Sequence, residues 1–204
     1  MCQGAVKTKG SFYTSCFFHN CCILVRMQLQ RITAADDSVM DFIQQLYEAS
    51  FPIEERRLFT AVKELLLNSQ MRLVLVTNEA RAPVGFVIYW QFDDFVFIEH
   101  LAIDAAFRSL GFGKKIIQQL LEGANGCCLL EVEHAHDTDS EKRIRFYQRL
   151  GFHFNEEVYF QPAYHEGGQP VPMLLLSNSS LLPEKLAQFI KELKQTVYSI
   201  REPL

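Results

Sequence analysis

The chain has 204 residues, 49% of them hydrophobic, enough for one well-packed domain without disulfide or metal staples. Its formal net charge is -4 and its pI about 5.9, so it lacks the positive field that would hold a nucleic-acid backbone. No run approaches the roughly 18 apolar residues needed to span a bilayer, and the expectation is a soluble protein with neither nucleic-acid nor membrane partner.

Residues 1–26 contain no Asp or Glu and hold Cys2, Cys16, Cys21 and Cys22, four of the six cysteines. The apolar stretch from Phe17 to Val25 is broken by His19 and Asn20, unlike a secretory signal. These residues are expected to be a non-core extension, upstream of a start at Met27, with one domain over 27–204. The remaining cysteines, Cys127 and Cys128, are adjacent in an apolar run, where strand alternation turns them to opposite faces. Reduced, buried thiols and a cytoplasmic location are the corresponding expectation.

From Leu29 to Thr33 a short strand runs into Asp36, Asp37 and Ser38, which are good helix N-caps. Val39, Phe42, Ile43, Leu46 and Tyr47 then recur at helical spacing, up to Phe51-Pro52, where the residue before proline avoids the helical region. Leu58, Phe59, Val62, Leu65 and Leu66 mark a second helix. Three β-rich runs follow, Arg72 to Thr77, Val84 to Phe92 and Phe95 to Ile103, and their short connections predict an antiparallel meander. Ile116, Ile117, Leu120 and Leu121 predict a helix ending at Gly123 or Gly126, and Cys127 to Val132 a buried strand. A helix over Ser140 to Leu150 stops at Gly151. Two strands, Phe152 to Phe160 and Val171 to Ser177, precede an amphipathic terminal helix carrying Leu186, Phe189, Ile190, Leu193, Val197 and Ile200. The pattern predicts an α/β (α+β) fold with a mixed, mostly antiparallel sheet flanked by helices. The terminal helix suits either its own sheet or a partner, and a homodimer is the weak expectation.

The most informative stretch runs from Phe97 through Glu99, His100 and Asp104 to Phe107-Arg108-Ser109-Leu110-Gly111-Phe112-Gly113-Lys114-Lys115, a strand passing through a loop into a helix. Glycines leave amide N–H groups uncovered, and a first helical turn adds unpaired donors and a positive dipole end, which suits an anion such as pyrophosphate. A dinucleotide-binding fold is excluded because G-x-G-x-x-G does not follow the first strand.

Arg108, Gly111 and Gly113 resemble the R/Q-x-x-G-x-G/A motif of the GNAT N-acyltransferase superfamily. The preceding Leu101-Ala102-Ile103-Asp104 resembles that family's fourth strand, and Phe146-Tyr147-Gln148-Arg149-Leu150-Gly151-Phe152 its F-Y-x-x-x-G-F signature. The resemblance covers about Met27 to Ser177. It implies a GNAT-like sheet, acetyl-CoA as cosubstrate, no metal, and direct transfer of an acetyl group to an amine in a ternary complex. It places the pantetheine arm on Leu101, Ala102 and Ile103, and the phosphates on Arg108, Ser109, Leu110, Gly111, Phe112, Gly113 and Lys114. Lys115 stays unassigned.

Acyl transfer needs a neutral nucleophile, a stabilised oxyanion and a proton for the departing thiolate. The resemblance makes Tyr147 the acid and Glu99 a base acting directly or through water, and a backbone N–H near Leu101, freed by a bulge, the oxyanion donor. Glu99 could have a raised pKa or could pair with an arginine. His100 also titrates near neutrality, but neighbours on a strand face opposite ways, so only one of the two faces the acceptor unless a bulge intervenes. Glu131 and Glu133 share a strand face, and with Glu54 and Glu55 they point to a cationic acceptor. His134, His136 and Asp137 have poor metal-ligand spacing. The acceptor segments, Phe51 to Leu67 and Tyr159 to Pro172, carry no recognisable specificity pattern. The competing expectations are a non-catalytic acyl-CoA sensor or an interaction domain of the same fold.

Overall fold

The computed structural model describes residues 26–34, 37–124, 126–155 and 157–200. The expected extension and part of the first helix's N-cap lie outside them. Strand β1 (Met27–Ile32) leads to α1 (Asp37–Ser50), a single 3-10 turn (Ile53–Glu55) and α2 (Phe59–Leu65). The meander is β2 (Met71–Asn78), β3 (Pro83–Gln91) and β4 (Phe95–Ile103). A second 3-10 turn (Ala105–Phe107) then precedes α3 (Phe112–Gly123), β5 (Cys127–Glu133) and α4 (Thr138–Gln148). The chain closes with β6 (His153–Phe154), β7 (Tyr159–Gln161), β8 (Val171–Ser177) and α5 (Pro183–Thr196).

The strand order is β1-β2-β3-β4-β5-β8-β6, with β7 also on β8. Every pairing is antiparallel except β4 with β5. This mixed, mostly antiparallel sheet is the predicted class. One expected strand, Phe152 to Phe160, is interrupted. Phe154 pairs with Leu176 and Tyr159 with Met173, so four residues of one strand stand opposite two of the other. Asn155 holds the break by donating its backbone N–H and its side-chain Nδ2 to the Leu175 carbonyl, each at 3.0 Å.

Helices cover both faces. Met40, Ile43 and Tyr47 of α1, Phe59 and Val62 of α2, and Leu186, Phe189 and Leu193 of α5 pack on one face with Trp90, Phe95, Phe97 and Leu129. Phe112, Ile116 and Ile117 of α3 and Ile144 and Tyr147 of α4 pack on the other with Val96, Ile98, Cys128 and Leu130. Cys127 and Cys128 are free and buried on opposite faces. The apolar stripe of α5 is spent on its own sheet, where Phe189 stacks on Phe95 with ring centroids 4.3 Å apart.

Two irregularities shape the site. The parallel β4–β5 ladder runs only from Phe95 opposite Cys127 to Ile98 opposite Leu130, and the strands part beyond it. In the β3–β4 ladder Ile88 faces His100 while Tyr89 faces Ile98, which leaves Glu99 as the extra residue of a β-bulge.

Truncating Phe189 to Ala is expected to lower unfolding free energy by about 3–5 kcal/mol, because it removes a fully buried ring and leaves a cavity. Denaturant titration checks this, and a loss below about 1 kcal/mol would mean that α5 does not close this face.

Candidate active site

Beyond Ile98 the β5-facing edge of β4 carries no ladder, so the backbone of Glu99 to Ile103 presents an open strand edge on that side. One acceptor on it is engaged: Arg108 folds back and donates from Nε to the Ile103 carbonyl at 3.0 Å. The loop then turns through two left-handed residues, Ser109 at φ 64° and Gly111 at φ 93°. Gly111 is the N-cap of α3 and supplies no side-chain cap. The N–H groups of Phe112, Gly113 and Lys114 precede the helix's first bond, from Lys115 N–H to the Gly111 carbonyl at 3.1 Å. Such unsatisfied donors at a positive dipole end form an anion cradle. The ring of Phe112 is core, so only its backbone can serve a ligand. Gly113 packs on α4, where an added Cβ would stand 3.3 Å from Phe146.

The bulge turns both Glu99 and His100 to the α1–α2–α5 face, where an unbulged strand would have turned them apart. Glu99 has a side chain only 2% exposed, paired with Arg57. Its Oε1 accepts Arg57 Nη2 at 2.7 Å, Arg57 Nε at 3.1 Å and the Tyr164 hydroxyl at 2.9 Å; its Oε2 accepts Trp90 Nε1 at 2.7 Å. Burial pushes its pKa up, but the Arg57 guanidinium and these donors outweigh burial and hold it below the ordinary carboxyl range. Of the two expected environments, the arginine-paired one is present. A carboxylate has about four acceptor positions, and four donors occupy them here.

His100 is enclosed by Phe51 and Tyr47, with centroids 4.5 and 4.9 Å away. The Tyr47 hydroxyl accepts Arg57 N–H at 3.0 Å and is hydrogen-bonded to His100 Nε2 at 3.3 Å. Burial pushes the His100 pKa down to about 4, so the imidazole is neutral at physiological pH.

Glu131 is the first β5 residue past the ladder, as Glu99 is on β4, and it extends from the same face. Its carboxylate accepts the Tyr159 hydroxyl on Oε1 and the Tyr198 hydroxyl at 2.8 Å on Oε2. Burial raises its pKa to about 7 against the lowering effect of both tyrosines, with Glu99 and Glu55 adding to the rise. The hydroxyls of Tyr164 and Tyr198 lie 3.4 Å apart and bring the two carboxylates into one network. Glu55 is also raised, first by burial and then by Glu133.

On the opposite face, Tyr147 is wedged edge-on between Phe146 and Phe152. Its hydroxyl makes no hydrogen bond among the described residues. Burial pushes its pKa up to about 12, so it holds its proton at neutral pH.

The sequence profile of the Acetyltransferase (GNAT) family matches residues 37–152. The chain belongs to that family. It is 33% identical over 124 residues to YjbC of Bacillus subtilis (strain 168), provisionally named an acetyltransferase, with 60% of this chain and 62% of that protein aligned. The chain thus spans less than two thirds of that relative. A GNAT-family structure from Bacteroides thetaiotaomicron, also provisionally named, superposes with TM-score 0.76 and 34% identity over 85% of this chain and 99% of that one. A spermidine N-acetyltransferase from Vibrio cholerae in complex with CoA and spermine shares the fold, with TM-score 0.54 at 15% identity over 74% of this chain and 94% of that one. The chain is therefore a member of a family of acetyltransferases that use acetyl-CoA.

Arg57, Trp90, Tyr159, Tyr164 and Tyr198 were not singled out from sequence. They come from four separated stretches, and only the fold brings them to the two carboxylates. Arg57, Tyr159 and Tyr164 do fall within the expected acceptor segments, which touch where His165 Nε2 donates to the Ile53 carbonyl at 3.0 Å. The residues that suggested a metal have another use: Asp137 caps α4 in a reciprocal box with Ser140, and the His136 ring donates to the His134 carbonyl. Among the described residues no group of three or more His, Cys, Asp or Glu could hold a metal ion.

Arg57→Met leaves Glu99 buried without a counter-charge and is expected to cost about 3–5 kcal/mol; adding Glu99→Gln should restore part of that loss. Because the Glu99 pKa is depressed in the folded state, the pair's contribution is present above the ordinary carboxyl pKa and fades as pH falls through the lowered value. Urea denaturation of the wild type and the two variants from pH 7 to pH 3 checks both points.

Proposed function

We propose that the protein transfers the acetyl group of acetyl-CoA to an amine by direct attack in a ternary complex. The observation that carries this reading is the parting of β4 and β5 after Ile98, with an uncapped helix start at one end and the hydroxyl of Tyr147 on the same face as that helix. The open edge of Leu101, Ala102 and Ile103 suits a pantetheine amide chain, which pairs with a strand edge as a further strand does. Arg108, Ser109, Leu110, Gly111, Phe112, Gly113 and Lys114 suit the phosphates, mainly through their N–H groups. These features fit the cosubstrate without further ligands.

Tyr147 is placed in the acid role because it is protonated at neutral pH and its hydroxyl is uncommitted. Glu99 supplies fixed negative charge beside the point of transfer. Together with Glu131 and Glu55 it favours a cationic amine as acceptor, with Arg57 taken up by Glu99 and Glu133 paired with Arg143. Free buried Cys127 and Cys128 suit a reducing, cytoplasmic setting.

Isothermal calorimetry with acetyl-CoA tests the loop. Gly111→Glu should abolish saturable binding, because it sets a carboxylate where the pyrophosphate is expected. Gly111→Asn, which tolerates the left-handed backbone, should keep binding and so controls for folding. Binding that persists in Gly111→Glu removes the loop assignment. Tyr147→Phe should lower kcat by about 100-fold or more with the acetyl-CoA Kd unchanged, in the range of a lost general acid; an unchanged kcat, read by thiol release, would take Tyr147 out of the chemistry.

A further inference from the structure

We propose that Glu131 is the residue that takes the proton from the acceptor amine, and that Glu99 beside it is a positioning residue that stays ionised. This rests on the acetyltransferase reading above and assigns the proton path within it.

The argument starts from symmetry of position and asymmetry of environment. Glu99 and Glu131 are each the first residue beyond the last rung of the parallel ladder, Ile98 opposite Leu130. Phe97 and Leu129, two residues earlier in each strand, face each other on the α1–α2–α5 side. Both carboxylates therefore flank the point where the strands part. Glu99 has a guanidinium, an indole N–H and a tyrosine hydroxyl on its oxygens, and a carboxylate so satisfied has neither a free acceptor position nor a reason to accept a proton. Glu131 has two hydroxyls and no cation on its oxygens, which leaves about half its acceptor positions open.

The groups facing Glu131 come from every element around it. Tyr159 lies on β7, Tyr164 on the following loop, Tyr198 after α5, Glu99 on β4 and Glu55 on the 3-10 turn. Lys194 of α5 reaches this cluster only over the Tyr159 ring, 5.8 Å from its centroid. Among the described residues no positive charge offsets Glu131 as Arg57 offsets Glu99, so the two carboxyl groups titrate apart. Such splitting marks a fixed charge beside a proton acceptor. Burial places Glu131 at about 7, where acceptance and release are both easy. Tyr159, Tyr164 and Tyr198 all lie beyond residue 152, where the family match ends, so this arrangement belongs to the C-terminal part of this chain.

The proton balance closes. An ammonium acceptor gives one proton to Glu131, and the freed nitrogen lone pair forms the C–N bond to the thioester carbonyl carbon. The C–S bond breaks with its electron pair going to sulfur. Sulfur takes the Tyr147 hydroxyl proton, and Tyr147 recovers one from the newly acylated nitrogen. Glu131 then releases its proton to solvent, leaving amide, CoA thiol and one proton.

The test joins spectroscopy to kinetics. Infrared difference titration of wild type and Glu131→Gln between pH 5 and 9 should show a carboxylic-acid band with a midpoint at about 7 that is missing from the variant. With amines drawn from polyamines, amino acids and lysine peptides, the wild-type kcat/KM should fall below that midpoint, since protonated Glu131 cannot accept. Glu131→Gln should lose that limb and about 100-fold in rate while binding acetyl-CoA unchanged. Tyr198→Phe removes a hydrogen bond that lowers the Glu131 pKa, and should move the limb to higher pH. His136, exposed with a pKa raised chiefly by the His134 carbonyl, is the control: His136→Gln should leave the limb in place. A band or limb that survives Glu131→Gln, or a Tyr198→Phe profile that does not move, would overturn the assignment, as would acetyl-CoA binding without turnover of any of these amines. Loss of acetyl-CoA binding in wild type would remove the acetyltransferase reading beneath it.

Discussion

One extra residue in β4 organises the active face of this protein. Without the bulge, Glu99 and His100 would point to opposite sides of the sheet, and the Arg57 guanidinium would meet a neutral imidazole or nothing. With it, Glu99 turns onto Arg57, Trp90 and Tyr164 while His100 packs between Tyr47 and Phe51. Burying a carboxylate in this way is costly unless charge and hydrogen bonds compensate for it. The compensation recruits residues from α2's approach, β3 and the β7–β8 loop. The same ion pair anchors the far end of the chain, because Arg57 Nη2 also donates to the Val197 carbonyl at 2.8 Å.

The two faces of the sheet divide the work. On the α3–α4 face, the sequence from Ile103 to Lys114 leaves amide donors uncovered, and the tyrosine hydroxyl there is uncommitted. On the α1–α2–α5 face, the carboxylates of Glu99 and Glu131 gather in one network through Tyr164 and Tyr198. The parting of β4 from β5 connects the faces, because the ladder that separates them stops at Ile98 and Leu130. The ladder ends where it does because the bulged β4 and the straight β5 follow different courses beyond Ile98 and Leu130.

Much of this was legible in the residues. Alternation and turn composition marked the meander, and the spacing of Arg108, Gly111 and Gly113 marked the loop. Tyr147 was legible because its signature is local. What could not be read was produced by distance along the chain. Nothing in Glu99-His100 announces a bulge, which depends on how β3 pairs across it. Arg57 is the second of an arginine doublet in a polar turn, and its sequence neighbours give no sign that it, unlike Arg56, is drawn onto a carboxylate 42 residues away. The alternation of Glu131 with Glu133 was visible, but Tyr159 and Tyr198, 28 and 67 residues downstream of Glu131, are ordinary apolar-face residues of their own elements. The interruption of the strand after Phe154 was hidden for a related reason: Asn155 bonds to β8, and sequence alone does not say which strand lies beside it.

Hydrogen–deuterium exchange with and without acetyl-CoA tests most directly whether the open strand edge and the uncapped helix start form one binding surface. The account predicts new protection at Glu99 to Ile103 and at Arg108 to Lys115 together, with the peptide covering β1 and β2 unchanged. Protection confined to another part of the chain, or none at saturating acetyl-CoA, would contradict it.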